Sequence, residues 1–140
     1  MSSSFLLPVF LGVLVSVTTI ILVRFVGMTR ERSLFPSALI AIASFYVVFA
    51  IQAEQTNTII INVFVTAAFI LLSILGFVRS LWLVVFGLIA HGIFDAAYAV
   101  SGMSPAPDWW GVFCIAIDVI WGLALAVLIM QKEVRSNSSI

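Results

Sequence analysis

His91 and Asp95 stand four residues apart, and so do Cys114 and Asp118. On a helix that spacing puts each pair on one face, with Tyr98 extending the first face and Trp121 the second. An imidazole and two carboxylates can share protons and act as general acid and base once burial has tuned them. His91, Asp95 and Asp118 are therefore the candidate catalytic residues. The same donor types can ligate a divalent metal. With one histidine in the chain and a spacing that matches no specific metal motif, no metal ligand is assigned and no cofactor is implied. The single cysteine leaves no intramolecular disulfide and excludes Cys-rich zinc motifs.

These polar groups lie in unusually apolar surroundings. The 140 residues are 64% hydrophobic and 9% charged, with a mean hydropathy of +1.29. A soluble domain of this size could not hide so much apolar surface, so lipid is the natural solvent. The length fits one membrane domain spanning residues 1–140. The net charge is zero, which provides no basic patch for nucleic acid. Expected partners are membrane lipid and a lipophilic small molecule, with a homo-oligomer or a larger membrane complex as further options.

A helix needs ~20 apolar residues to cross ~30 Å of hydrocarbon. Five runs qualify: Phe5–Phe25, Leu34–Ala53, Thr58–Val78, Leu81–Val100 and Trp110–Met130. The expected fold is an all-α, five-helix membrane bundle. Met1-Ser2-Ser3-Ser4 lacks the basic residues of a secretory signal, so the first run reads as a retained helix. Pro8 and Pro36 fall in first turns, where a missing N–H does little harm. Glu54-Gln55-Thr56-Asn57 and Arg79-Ser80 are tight joins that make helices two to four antiparallel neighbours. Trp109 and Trp110 fit an outer aromatic belt and Trp82 an inner one.

Arg24, Arg30, Arg32, Arg79, Lys132 and Arg135 all fall on one side of a five-span chain. Lys and Arg in short loops mark the cytoplasmic face, so the N-terminus is expected outside and the C-terminus in the cytoplasm of a bacterial membrane. The acidic groups and the histidine are expected toward the other side. Counted from Ser101 and Trp109, His91 and Asp118 lie roughly 13–15 Å deep, and Asp95 and Cys114 roughly 8–9 Å deep. Asn62 and Thr66 of helix three are also four apart and in the outer half. Glu54 sits at the outer end of helix two, with Tyr46 below it. A carboxylate at mid-bilayer costs ~2.5–3.5 kcal/mol on insertion scales, so Asp95 and Asp118 must face protein or water. Candidate ligand-binding residues are Glu54, Asn62, Thr66, Tyr98, Cys114 and Trp121, with Trp121 as the floor of a pocket.

From Arg79-Ser80 onward the chain resembles a bacterial family of small multi-span membrane proteins to which no function is assigned. The resemblance rests on His91-x-x-x-Asp95, a loop containing Pro105, and Cys114-x-x-x-Asp118, with Glu54 as a further similarity. It implies a membrane protein and no mechanism. The family pattern continues with a histidine pair three and four residues after the Asp. Tyr98 and Ala99 stand there in this chain, so metal or haem ligation through that pair does not carry over.

The residues admit several functions. One is a proton-transfer enzyme of isomerase or cyclase type acting on a lipid or isoprenoid; five-helix sterol isomerases and tryptophan-rich sensory proteins are similar in size and span count, a likeness of fold only. Another is an accessory subunit binding lipid, quinone or pigment. A proton or metal pathway is disfavoured, because the inner halves of helices four and five are Leu, Val, Ile and Ala. Each site residue also has a structural alternative. His91, Asp95 and Asp118 would form an interhelical clasp, Glu54 a solvated interface residue, Cys114 a small buried hydrophobe and Trp121 a packing residue. Gly122 and Ala126 have the spacing of a close helix contact. Reporter fusions or thiol labelling at Ser3 and Ser138 should report opposite faces; both ends on one face would remove the five-span topology.

Overall fold

A computed structural model describes residues 3–135, with side chains from residue 5. Among them are five long α-helices and no strand: α1 Ser3–Phe25, α2 Leu34–Gln52, α3 Thr56–Val78, α4 Trp82–Ser101 and α5 Asp108–Met130. A short 3-10 turn, Met28–Arg30, joins α1 to α2. Each of the five is long and apolar enough to cross a membrane. The chain is an integral membrane protein of all-α architecture.

The helices begin and end close to the expected runs, and the shifts have local causes. Helix α5 starts at Asp108 rather than Trp110. Pro107 precedes it with φ −56° and ψ 149°, and Asp108 puts a carboxylate in the first turn, where the helix dipole favours it. Helix α3 starts at Thr56 rather than Thr58. Helix α1 starts at Ser3, which leaves Pro8 inside the helix instead of in its first turn. Pro36 does occupy the first turn of α2.

The helices pack in the order α1, α5, α4, α3, α2, with an edge of α2 returning to α4 and α5. Helix α1 packs chiefly on α5, and 17% of its span is buried against 39% for α4. Helix α4 is therefore the central element and α1 the most lipid-facing. Close approach of α1 depends on Gly12, where a Cβ would lie 2.6 Å from the Phe113 carbonyl oxygen. Gly122 performs the expected service between α5 and α4, facing Ile89 and Leu88.

The basic end of the bundle holds the apolar core. Phe35, Leu39, Leu81, Val84, Leu88, Leu125 and Leu128 are buried together. Below them the polar loops tie to one another. Arg24 pairs with Glu133 at 2.9 Å and Arg135 with Glu31 at 3.1 Å. The expectation that acidic groups gather at the opposite end thus fails for Glu31 and Glu133, which neutralise part of the basic face. Arg32 donates from Nε to the Phe77 carbonyl at 2.7 Å and from Nη2 to the Gly76 carbonyl at 3.3 Å. These carbonyls belong to the last turn of α3, which lacks intrahelical donors and attracts a cation.

Two stability effects follow. Gly12→Ala should force α1 away from α5 and cost about 1–3 kcal/mol, as overpacking does. Arg32→Ala should remove the charged cap of α3 and cost about 1.5–3 kcal/mol. Thermal unfolding in detergent measures both, and a neutral Gly12→Ala would show that α1 is not held at this contact.

Candidate functional site

Positions six residues inside the helix ends opposite the basic face are polar or polar-tipped in four helices: Tyr46 in α2, Asn62 in α3, Asp95 in α4 and Cys114 in α5. At 1.5 Å per residue they share a level about 9 Å below those ends. Ten residues inside come Thr66, His91 and Asp118, at about 15 Å. All seven are buried. The bundle thus carries two polar layers in one half, above an apolar core in the other.

The lower layer contains the closest contact. His91 Nδ1 lies 2.9 Å from Asp118 Oδ2 and shares a hydrogen bond with it. The same nitrogen is 3.4 Å from Asp95 Oδ2, one helical turn along α4. His91 is 1% exposed, and both aspartates are 0% exposed. Gly92 makes room for this: a Cβ there would sit 3.3 Å from Asp118 Cβ, so a small residue beside His91 lets α5 approach. The expected direct packing of α4 on α5, with His91 against Asp118, is what the structure contains. Cys114 stands within electrostatic reach of both carboxylates.

The carboxylates have more acceptor capacity than the protein satisfies. Among the described residues, Asp95 Oδ1 and Oδ2 and Asp118 Oδ1 are buried without a hydrogen-bond partner of good geometry. The Tyr46 hydroxyl faces Asp95. Neutral His91 with two ionised aspartates would carry two negative charges, which low-dielectric surroundings penalise heavily. Two shared protons bring the group to zero net charge, and so would one divalent cation. One nitrogen and two carboxylate oxygens within 4.8 Å of one another have the donor types for such an ion. The sequence grouped these three residues by depth, and a single histidine with no metal-motif spacing left them without a metal assignment.

An aromatic shell surrounds His91. Phe69 of α3 meets its ring edge-on at a centroid distance of 4.8 Å, and Tyr46 and Phe94 each lie at 6.1 Å. Tyr98 stacks at a tilt on Phe94 at 4.9 Å. Tyr46 was noted from the sequence only for its place below Glu54 and not as a site residue, and Phe69 and Phe94 were not singled out. The detectable signal for Tyr46 was depth: it is a polar-tipped aromatic well inside a span, at the level of Asp95. Phe69 and Phe94 carried no signal that separates them from ordinary apolar residues.

Other expected members are placed elsewhere. Asn62 donates from Nδ2 to the Tyr98 hydroxyl at 2.9 Å, and to the Thr58 carbonyl at 2.8 Å, so it supports Tyr98 rather than the acids. Thr66 donates to the Ala43 carbonyl at 2.9 Å and fastens α3 to α2. Glu54 is exposed in the α2–α3 turn with φ 54°, away from the buried cluster. Its position is set by the need to reverse the chain within three residues, and solvation satisfies its charge. Trp121 sits below Asp118 in depth, but its ring packs edge-on against Phe35 at 6.0 Å in the apolar core. Five of the surface clefts among the described residues are lined by neither Trp121 nor the His–Asp–Asp group, and Trp121 is a packing residue against the apolar core.

The chain matches no protein-family model, no curated protein and no solved structure. Its class follows from the structure itself: a five-helix integral membrane bundle with a dry His–Asp–Asp group in one half.

Asp118→Leu should strand His91 and cost about 1–3 kcal/mol, the usual cost of an orphaned buried polar group. Asp95→Leu removes a carboxylate with no hydrogen bond to lose and should be neutral or stabilising, as replacement of under-paired buried charge often is. Equal losses for both variants in thermal unfolding would show that Asp95 is as fully engaged as Asp118.

Proposed function

We propose that this membrane protein receives a lipophilic ligand at the outer-half polar cluster and acts on it by proton transfer. Isomerisation or cyclisation of an isoprenoid or sterol-like alkene is the reaction type that suits the groups available. His91 and Asp118 form the acid–base pair, and Asp95 is the second carboxylate that holds or relays the proton. The observation that carries this reading is Asp95: it is 0% exposed, its Oδ2 is 3.4 Å from an imidazole already engaged by Asp118 at 2.9 Å, and neither of its oxygens has a hydrogen bond of good geometry among the described residues. A clasp evolved for packing alone would saturate its acceptors, because each buried unsatisfied one is costly. Intramembrane ionisable groups left in this condition are functional candidates by default.

In the closed state the ligand would have to displace the aromatic shell. Phe69 and Phe94 are only partly buried, so their side chains are the movable cover between His91 and lipid. Tyr46, Tyr98 and Asn62 would then supply hydrogen bonds, and Cys114 a small apolar contact. The cytoplasmic placement of the basic end in a bacterial membrane belongs to the same reading, as does kinship with the small multi-span family that the second half of the chain resembles.

A second reading is a non-enzymatic subunit that binds lipid, quinone or pigment or joins a larger complex. One observation favours it: the sparsely buried α1 turns most of its apolar surface outward, available to lipid or to another chain.

Asp118→Asn separates the readings while conserving volume. For a proton-transfer site, the folded variant should lose turnover or retention of the lipophilic compound that mass spectrometry finds with the wild-type protein. For a clasp, stability alone should shift, by about 1–2 kcal/mol at most. A stable Asp118→Asn protein with unchanged activity and ligand retention would remove the site.

A further inference from the structure

The basic end of the bundle contains a cleft of about 600 Å³ that the outer-half site does not involve. Its lining mixes two chemistries: Leu81, Trp82 and Ile129 are apolar, and Arg32, Arg79, Lys132 and Arg135 are cationic. The charges there are unequal. Glu133 also lines the cleft, but its Oε1 is engaged by Arg24 at 2.9 Å. Arg135 is paired with Glu31. Arg32 spends two of its N–H groups on neutral carbonyls and keeps its charge uncompensated. No side-chain partner from the described residues engages Arg79 or Lys132. With Glu133 neutralised by Arg24 and Arg135 by Glu31, the charges of Arg32, Arg79 and Lys132 leave the cleft positive.

The position of the cleft selects the ligand. Trp82 opens α4 and is 49% exposed, as an aromatic at the membrane–water boundary would be. The cleft therefore lies at headgroup depth, where its apolar residues can meet an acyl chain and its cations a headgroup. We infer that this cleft binds the phosphate headgroup of an acidic phospholipid, with Arg79 and Lys132 contacting the phosphate and Leu81, Trp82 and Ile129 contacting the glycerol and upper acyl chain. A volume of this size lies within the ordinary range of small-molecule sites. Basic pockets between membrane helices recognise anionic headgroups through the same combination of charge and apolar contact. Free phosphate would use the cations alone.

Native mass spectrometry of the detergent-solubilised full chain tests this with phosphatidylglycerol and phosphatidylcholine as probes. One phosphatidylglycerol should be retained per chain in preference to phosphatidylcholine. Arg79→Gln should weaken that retention about fivefold, the effect of one cation near an anionic surface. Arg30→Gln is the charge-matched control. Arg30 belongs to the same end but lines a neighbouring cleft with Arg24 and Thr29, so its loss should leave retention unchanged. Circular dichroism confirms that both variants keep their helices. Equal weakening by the two substitutions would overturn the site in favour of undirected surface charge. Lack of any preference for phosphatidylglycerol would overturn it outright. Thermal protection by millimolar inorganic phosphate equal to that by the lipid would overturn the lipid assignment.

Discussion

The contact between His91 and Asp118 joins the two helices on which the rest of the bundle is assembled. At 2.9 Å, fully buried, it ties α4 to α5 at a depth where no water competes. Helix α1 then packs on the outside of α5, and the α2–α3 hairpin on the other side of α4. An ionisable pair can act this way in hydrocarbon because the alternative, a charge facing lipid, costs several kcal/mol. Gly92 eases the contact, since a Cβ there would meet Asp118 Cβ at 3.3 Å.

The two halves of the bundle differ in their main cohesion. In the basic half, Phe35, Leu39, Val84, Leu88 and Leu125 interlock as an apolar core, beside a directed bond from Ser73 Oγ to the Pro36 carbonyl at 2.7 Å. In the other half, helix joins are made by directed bonds: Thr66 to the Ala43 carbonyl, Asn62 to Tyr98, and His91 to Asp118. Lipid supplies no hydrophobic drive for helix association, so both kinds are needed, and close packing at small residues adds to them. The apolar half also seals the polar half from the basic end. A proton held at His91 has aromatic neighbours and Asp95 within reach, but no polar path continues through the core residues beneath it.

The outer half keeps acceptors that it does not use, and the basic end keeps cations that it does not pair. Both are departures from a membrane protein optimised only to fold. Asp95 offers two buried oxygens without partners, and Arg79 and Lys132 face a cleft. Local rules of polar satisfaction are commonly broken where a protein binds something else. The two ends differ in what they suit. The buried carboxylates suit a small cation or a proton on a lipophilic molecule, and the open cationic cleft suits a large anion anchored in the bilayer.

The five spans, their tight joins and the single basic end were all legible in the residues, because apolar run length and Lys/Arg placement act through the bilayer and need no knowledge of packing. Depth was legible for the same reason: a fixed rise per residue put His91 level with Asp118 before any contact was seen. Rotation about each helix axis was not. With apolar residues almost all round every span, hydrophobic periodicity does not say which face turns inward. Only the tertiary structure decided that Thr66 turns to α2, that Trp121 turns down onto Phe35, and that Glu54 stays in a solvated turn. It also brought Tyr46, Phe69 and Phe94 around His91, from three helices whose sequences share no local pattern. The solvent acts on the chain one span at a time, whereas a site is built from the facing surfaces of several spans, and those surfaces exist only once the helices have packed.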